Sequence, residues 1–187
     1  MKKNILWKGL HYASMENCMI TTNAEGYIIN SQLTGTFEDK ILRIDYQLQL
    51  DWMWHTMSVI ANSRHGEHTN ALSFISDTNG NWWFNGTAVD EFKDCLDVDI
   101  SITPFTNTIP IKRLKLNDSE AQVIKVLYMN LPKEELHIME QRYTRISATS
   151  YLYQNVGSKF EAVITTDENG LVTNYPEIFE RLAIEDI

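Results

Sequence analysis

Only two cysteines, Cys18 and Cys95, occur in 187 residues. Two thiols make no disulfide framework, so the fold must rest on a packed core. Long hydrophobic runs are missing as well: no stretch approaches the ~20 apolar residues of a membrane span. Lys2 and Lys3 ahead of Ile5-Leu6-Trp7 resemble the start of a secretory signal, but Lys8 and His11 cut the apolar run too early. The expectation is a soluble, cytoplasmic protein. Positive charge is in short supply, with 16 Lys and Arg against 25 Asp and Glu and a formal net charge of -9. Nucleic acid and anionic membrane surfaces both call for a Lys/Arg face, so neither is expected as a partner.

Catalytic signatures are also lacking. The chain has no GxGxxG, no P-loop and no GxSxG elbow, and neither cysteine has a catalytic context. His65-Gly66-Glu67-His68 places two histidines three apart in a polar loop. The helical HExxH setting and a third ligand are both missing, so no metal and no cofactor are expected. No Pro/Gly/Ser-rich linker divides the chain, and 43% hydrophobic residues suffice for a substantial core. The expectation is one domain spanning 1-187.

What is present is period-2 alternation. From Ile41 to Asp51, Leu42, Ile44, Tyr46, Leu48 and Leu50 alternate with polar residues, the pattern of a long half-buried strand. Asp77-Thr78-Asn79-Gly80 and Asp167-Glu168-Asn169-Gly170 are hairpin-turn signals. Further strands are read at Val123 to Met129, Met139 to Ser147, Ser150 to Asn155 and Phe160 to Thr166. Short helices are read at Thr87 to Leu96 and from Pro176 to about Leu182. An aromatic followed by threonine, then Asp-x-Asn-Gly, recurs in both halves at similar separations. That suggests two duplicated meanders; the plainer reading is chance reuse of common turns.

The most distinctive stretch is DVDISITPFTNTIPIKRLKL, Asp97 to Leu116. Its alternation predicts a strand through Thr103, a loop bracketed by Pro104 and Pro110, and a returning basic strand from Ile111. Centring the turn on Thr106 sets Asp99 beside Arg113 and Asp97 beside Lys115. Each exposed pair of this kind contributes roughly 0.2–1 kcal/mol.

Several groups are candidates for chemistry. Asp97 and Asp99 share a strand face and could share a pocket with split pKa values; a salt-bridged ladder is the plainer reading. Trp52 and Trp54 share a face, and Trp82 and Trp83 follow the first Asn-Gly turn. Each is by default core, but the group could line a ligand cavity. In Gln141-Arg142-Tyr143-Thr144-Arg145, Arg142 shares a face with Thr144 and Arg145 with Gln141 and Tyr143. An inward arginine needs an acidic partner, such as Glu16, Asp97 or Asp99, or an anionic ligand. Asn107 and Thr108 could offer neutral hydrogen bonds or merely cap the turn.

DVDISITPFTNTIPIKRL resembles the signature of the Putative glycolipid-binding family, a bacterial group long catalogued as a domain of unknown function. Glu16, Trp54-His55-Thr56, Gln141 to Thr144, Asp167 to Gly170, Tyr175-Pro176 and Arg181 match it too, across nearly the whole chain. The family pattern often has Arg after Trp-x-Thr, where this chain has Met57. The resemblance implies a half-barrel similar to bacterial lipoprotein-localisation carriers. The expected fold is therefore mainly β: a single curved antiparallel sheet with one or two short helices. The expected function is binding of a glycolipid or other small amphipathic ligand in the concave face. Trp52, Trp54, Trp82, Trp83, Asp97, Asp99, Asn107, Arg113, Arg142 and Tyr143 would supply the contacts. An enzyme using Asp97 or Asp99 on an amphipathic substrate and a protein-interaction module are the alternatives.

Overall fold

A computed structural model describes residues 2–187. The first half is a run of strands: β1 (Lys3–Gly9), β2 (Ser14–Thr22), β3 (Gly26–Phe37) and β4 (Lys40–Asp51). β5 (Thr56–His65), β6 (His68–Ser76), β7 (Trp82–Phe84) and β8 (Thr87–Ala88) continue it. Then come β9 (Asp97–Ile100) and the helix α1 (Phe105–Leu114). The second half is β10 (Ala121–Asn130), β11 (Glu135–Ser147), β12 (Ser150–Asn155), β13 (Glu161–Thr166), β14 (Val172–Tyr175) and β15 (Phe179–Asp186). All 15 strands form one sheet in the order β8-β7-β6-β5-β4-β3-β2-β1-β15-β14-β13-β12-β11-β10-β9. The two chain ends thus pair at its middle, β1 antiparallel to β15.

This order requires curvature. Fourteen inter-strand spacings of about 4.8 Å would put the edges about 67 Å apart in a flat sheet. The edge strands β8 and β9 are joined by residues 89–96, which reach only about 30 Å even when extended. The sheet therefore rolls into an open barrel whose interior receives the segment after β8. Cross-links from that segment to many strands confirm it: Trp82 Nε1 donates to the Cys95 carbonyl at 2.8 Å, and Thr103 Oγ1 to Glu16 on β2 at 2.8 Å. Asn107 Nδ2 donates to the Tyr143 hydroxyl on β11 at 2.9 Å.

Period-2 segments lie as their alternation indicates. Leu42, Ile44, Tyr46, Leu48 and Leu50 all face the core. Both Asp-x-Asn-Gly turns form, each closed by its aspartate: Asp77 Oδ1 accepts from the Asn79 and Asn81 amides, and Asp167 Oδ1 from those of Asn169 and Leu171. Each half is an antiparallel meander, β1 to β8 and β10 to β15, but the aromatic–threonine elements do not correspond. Thr56 opens β5 two strands before its turn, while Thr144 lies mid-strand on β11, three strands before the second.

The central stretch departs from its sequence reading. Phe105 to Leu114 is helical, so neither the proline-bracketed loop nor the basic strand exists. β9 and β10 run parallel, and a parallel pair needs a crossover, usually a helix. Threonine, asparagine and Pro110 make a weak helix former, but Phe105 to Ile111 are all buried inside the rolled sheet. Tertiary enclosure overrides propensity here. Arg113, carried round by the helix, meets Asp97 and not Asp99: Nε to Oδ1 at 2.9 Å and Nη2 to Oδ2 at 2.6 Å. Two other helix readings fail. Thr87 to Leu96 holds β8 and a 3-10 turn at Asp90–Phe92 but no α-helix, and beyond Tyr175 the chain makes β15, drawn into register by β1.

Asp97 is wholly buried, so its bidentate pair clamps α1 to β9. Removing one partner of a buried pair strands the other charge, at a cost of about 3–5 kcal/mol. Arg113→Met is expected to lose stability on that scale in urea unfolding, and adding Asp97→Asn should restore part of it. An additive double mutant would mean the pair carries no coupling.

Candidate functional site

Asp97 and Asp99 project to the same face of β9 but meet different surroundings. Asp97 has Arg113. Asp99 receives only neutral donors, Thr106 Oγ1 at 3.2 Å on Oδ1 and Gln141 Nε2 at 2.6 Å on Oδ2. The Thr106 hydroxyl also accepts the Ile100 amide at 3.2 Å, tying α1 to the end of β9. Burial pushes the Asp99 carboxyl above the ordinary aspartate range, and the Gln141 and Thr106 hydrogen bonds only partly oppose it.

Asp99 opens onto a cavity of about 250 Å³ in the rolled sheet. Its polar floor includes Asp99, Ser101, Thr103 and Asn107, from β9, α1 and the turn between them. The walls include Tyr128 of β10, Met139 of β11, Tyr153 and Asn155 of β12, and Tyr175 of β14, with Phe160, Ile178 and Phe179. Tyr128 is the direct neighbour of Asp99 across the β9–β10 pairing. Tyr153, Phe160 and Tyr175 pack as a triangle, with ring centroids 6.0, 6.0 and 6.3 Å apart. Burial first, and the nearby Asp99 carboxyl second, push Tyr128 up to about 12 and Tyr153 and Tyr175 higher still. All three phenols therefore remain neutral donors at physiological pH.

A second buried acid lies behind α1. Glu16 Oε1 accepts from the hydroxyls of Ser31 at 2.7 Å, Tyr46 at 2.7 Å and Thr103 at 2.8 Å. Its Oε2 is buried without a partner. Burial raises this carboxyl too, against the three hydroxyl hydrogen bonds. No arginine reaches it. Its hydroxyl partners place it as a strut between β2, β3, β4 and the approach to α1.

The predicted site residues scatter. Trp52 is 53% exposed on the turn after β4, and its Nε1 donates to the Ala24 carbonyl at 3.2 Å. Trp54 is buried against Tyr27, ring centroids 4.4 Å apart, under the Lys112 ammonium at 5.6 Å. Trp82 is core and Trp83 half-buried on the opposite face. None of the four lines the Asp99 cavity. Arg142 is exposed and borders a separate outer groove with Gln154 and Lys159. The arginine on the Tyr143 face is Arg145, which donates to the Leu116 carbonyl at 2.7 Å. Asp99 and Asn107 do meet at the cavity, and Tyr143 abuts it through Asn107. Sequence reasoning missed Tyr128, Tyr153, Tyr175, Phe160 and Gln141. The tyrosines occupy inward positions of alternating strands, a signal that the tryptophans overshadowed.

Among the described residues, no three His, Cys, Asp or Glu side chains group as metal ligands would. No helix among them is long and apolar enough to cross a membrane.

Asp99 makes a stability prediction with a definite sign. Its pKa is higher folded than unfolded, so the native state holds the proton longer. Stability is then full below the unfolded pKa and falls as pH rises through the folded one, by about 1.4 kcal/mol per pH unit between the two. Asp99→Asn removes this slope, so the variant should gain on the wild type between acid and neutral pH. Chemical denaturation at several pH values reads it, and parallel curves would refute the raised pKa.

Comparison with known proteins gives two results and one blank. A crystal structure of a DUF1089 family protein from Pseudomonas aeruginosa superposes with a TM-score of 0.83 at 38% sequence identity. The match covers 90% of this chain and 92% of that one. No curated protein matches. The family described as Putative glycolipid-binding matches residues 4–181, nearly the full length, and the chain belongs to that family.

Proposed function

We propose that the protein binds a small amphipathic molecule, with its polar head in the Asp99 cavity and its apolar part leaving over Phe160 and Ile178. The observation that carries this reading is the cavity's make-up: aromatic and aliphatic walls around a few convergent polar groups, the usual form of a small-molecule site. At about 250 Å³ it falls below the roughly 300–1,000 Å³ of pockets that enclose a whole drug-sized ligand. It suits a head group and leaves a chain outside. The family description points to a glycolipid as the ligand class.

One observation favours a second reading. A carboxyl with a raised pKa at a cavity floor is also what a general acid requires. Turnover of a bound ligand that Asp99→Asn abolishes, with binding retained, would select it.

The binding reading is tested by native mass spectrometry of freshly purified protein and by calorimetric titration with alkyl glycosides and fatty acids. Saturable one-site binding is expected. Ile178→Trp, which fills the cavity, should weaken it at least ten-fold, while Trp52→Ala, far from the cavity, should leave it unchanged. Absence of binding, or equal loss in both variants, would refute the assignment.

A further inference from the structure

We propose that the head group taken by the Asp99 cavity carries a positive charge: an ammonium held between the Asp99 carboxylate and the tyrosine-rich wall. This rests on the reading that the cavity is the binding site, and it names the ligand chemistry.

The first support is a missing counter-charge. Two carboxylates stand two residues apart on β9, and the fold supplies an arginine to one only. Asp99 has a threonine hydroxyl and a carboxamide, and no Lys, Arg or His lines its cavity. Asp99 is half-buried, and a carboxylate partly withdrawn from water with only neutral donors is left incompletely compensated. A cationic ligand would remove that deficit, whereas an anionic head would add to it. An uncharged head would leave it unrelieved.

The second support is aromatic. Tyr128, Tyr153, Phe160, Tyr175 and Phe179 all line a space of head-group size. Aromatic rings attract cations, most strongly when desolvated, and quaternary ammonium recognition relies on such enclosures. The chain's formal net charge of -9 favours cations at long range as well. An ammonium can come from an amino sugar, which would suit a glycolipid, or from a quaternary ammonium lipid. The recognition chemistry is the same for both.

Ionisation gives the site a pH signature. The groups around Asp99 are Thr106 on α1, Gln141 and Tyr143 on β11, and Tyr128, Tyr153 and Tyr175 on β10, β12 and β14. The four phenols are all pushed above their ordinary range, and Arg113 is committed to Asp97. Asp99 is then the group that gates cation binding. For a quaternary ammonium, affinity should rise with pH through the Asp99 pKa and level off above it, whereas an amino-sugar ligand should lose affinity again once its own amine deprotonates.

Three ligands with one alkyl chain separate the possibilities: decyltrimethylammonium, a decyl glucosaminide and decyl glucoside. Each is titrated calorimetrically below its micelle concentration into wild type, Asp99→Asn and Ile178→Trp. At least one ammonium ligand should bind ten-fold or more tighter than the glucoside. Asp99→Asn should erase that margin, and Ile178→Trp should weaken all three. Which ammonium ligand wins identifies the source. Equal binding of the glucoside and both cations, indifferent to Asp99→Asn, would overturn the charge assignment and leave the binding reading standing. No binding of any ligand, or binding unaffected by Ile178→Trp, would overturn both. Should Asp99→Asn fail to fold, wild-type affinity for decyltrimethylammonium at two pH values decides: a flat affinity overturns the proposal.

Discussion

The interior of a rolled, open sheet must be filled, and in this protein it is filled by the chain's own residues 95–116. That constraint shapes most of the rest. A segment enclosed on all sides cannot leave its polar groups to water, and an unpaired buried group costs about 1–3 kcal/mol. Most of them find partners, Thr103 on Glu16, Thr106 on Asp99 and Asn107 on Tyr143, while Ser101 Oγ and Thr108 Oγ1 are buried without one. These contacts fix the helix relative to β2, β9 and β11 at once. Packing and polar satisfaction together hold a helix that its own sequence would scarcely support.

The filling is incomplete where the site lies. α1 and the end of β9 cover one part of the interior and leave a gap against β12 and β14. Asp99 stands at that boundary. Its strand neighbour Asp97 is fully compensated and serves architecture, while Asp99 is left with neutral donors and a raised pKa. Departures from full electrostatic compensation tend to mark functional positions. The same division separates the aromatics. Trp7, Trp54 and Trp82 are buried, and the Trp7 and Trp82 indole N–H groups are spent on main-chain carbonyls. The cavity draws on tyrosines, which bring both a ring and a hydroxyl.

Much of this was legible in the chain. Alternation from Ile41 to Asp51 gives a strand with one buried face whatever its partners, because side-chain direction in a strand has period 2. The two Asp-x-Asn-Gly turns were equally secure, since each aspartate closes the turn from within four residues. That Asp97 and Asp99 share one face of a strand was also readable; that this face turns inward was not. The absence of a membrane-length apolar run, the acidic charge balance and the family signature needed no coordinates.

Local signals could not decide the central stretch. Asp97 to Leu116 reads as strand, loop and strand because Thr, Ile and Pro disfavour a helix, and that preference amounts to well under 1 kcal/mol per residue for all but proline. Burying seven consecutive residues, Phe105 to Ile111, outweighs it. Whether Arg113 meets Asp99 or Asp97 followed from that one choice, since a helix rises about 1.5 Å per residue where a strand rises about 3.3 Å. The cavity depended on tertiary structure still more. Tyr128, Tyr153 and Tyr175 come from three strands far apart in sequence, and only the closing of the sheet brings them around one carboxyl.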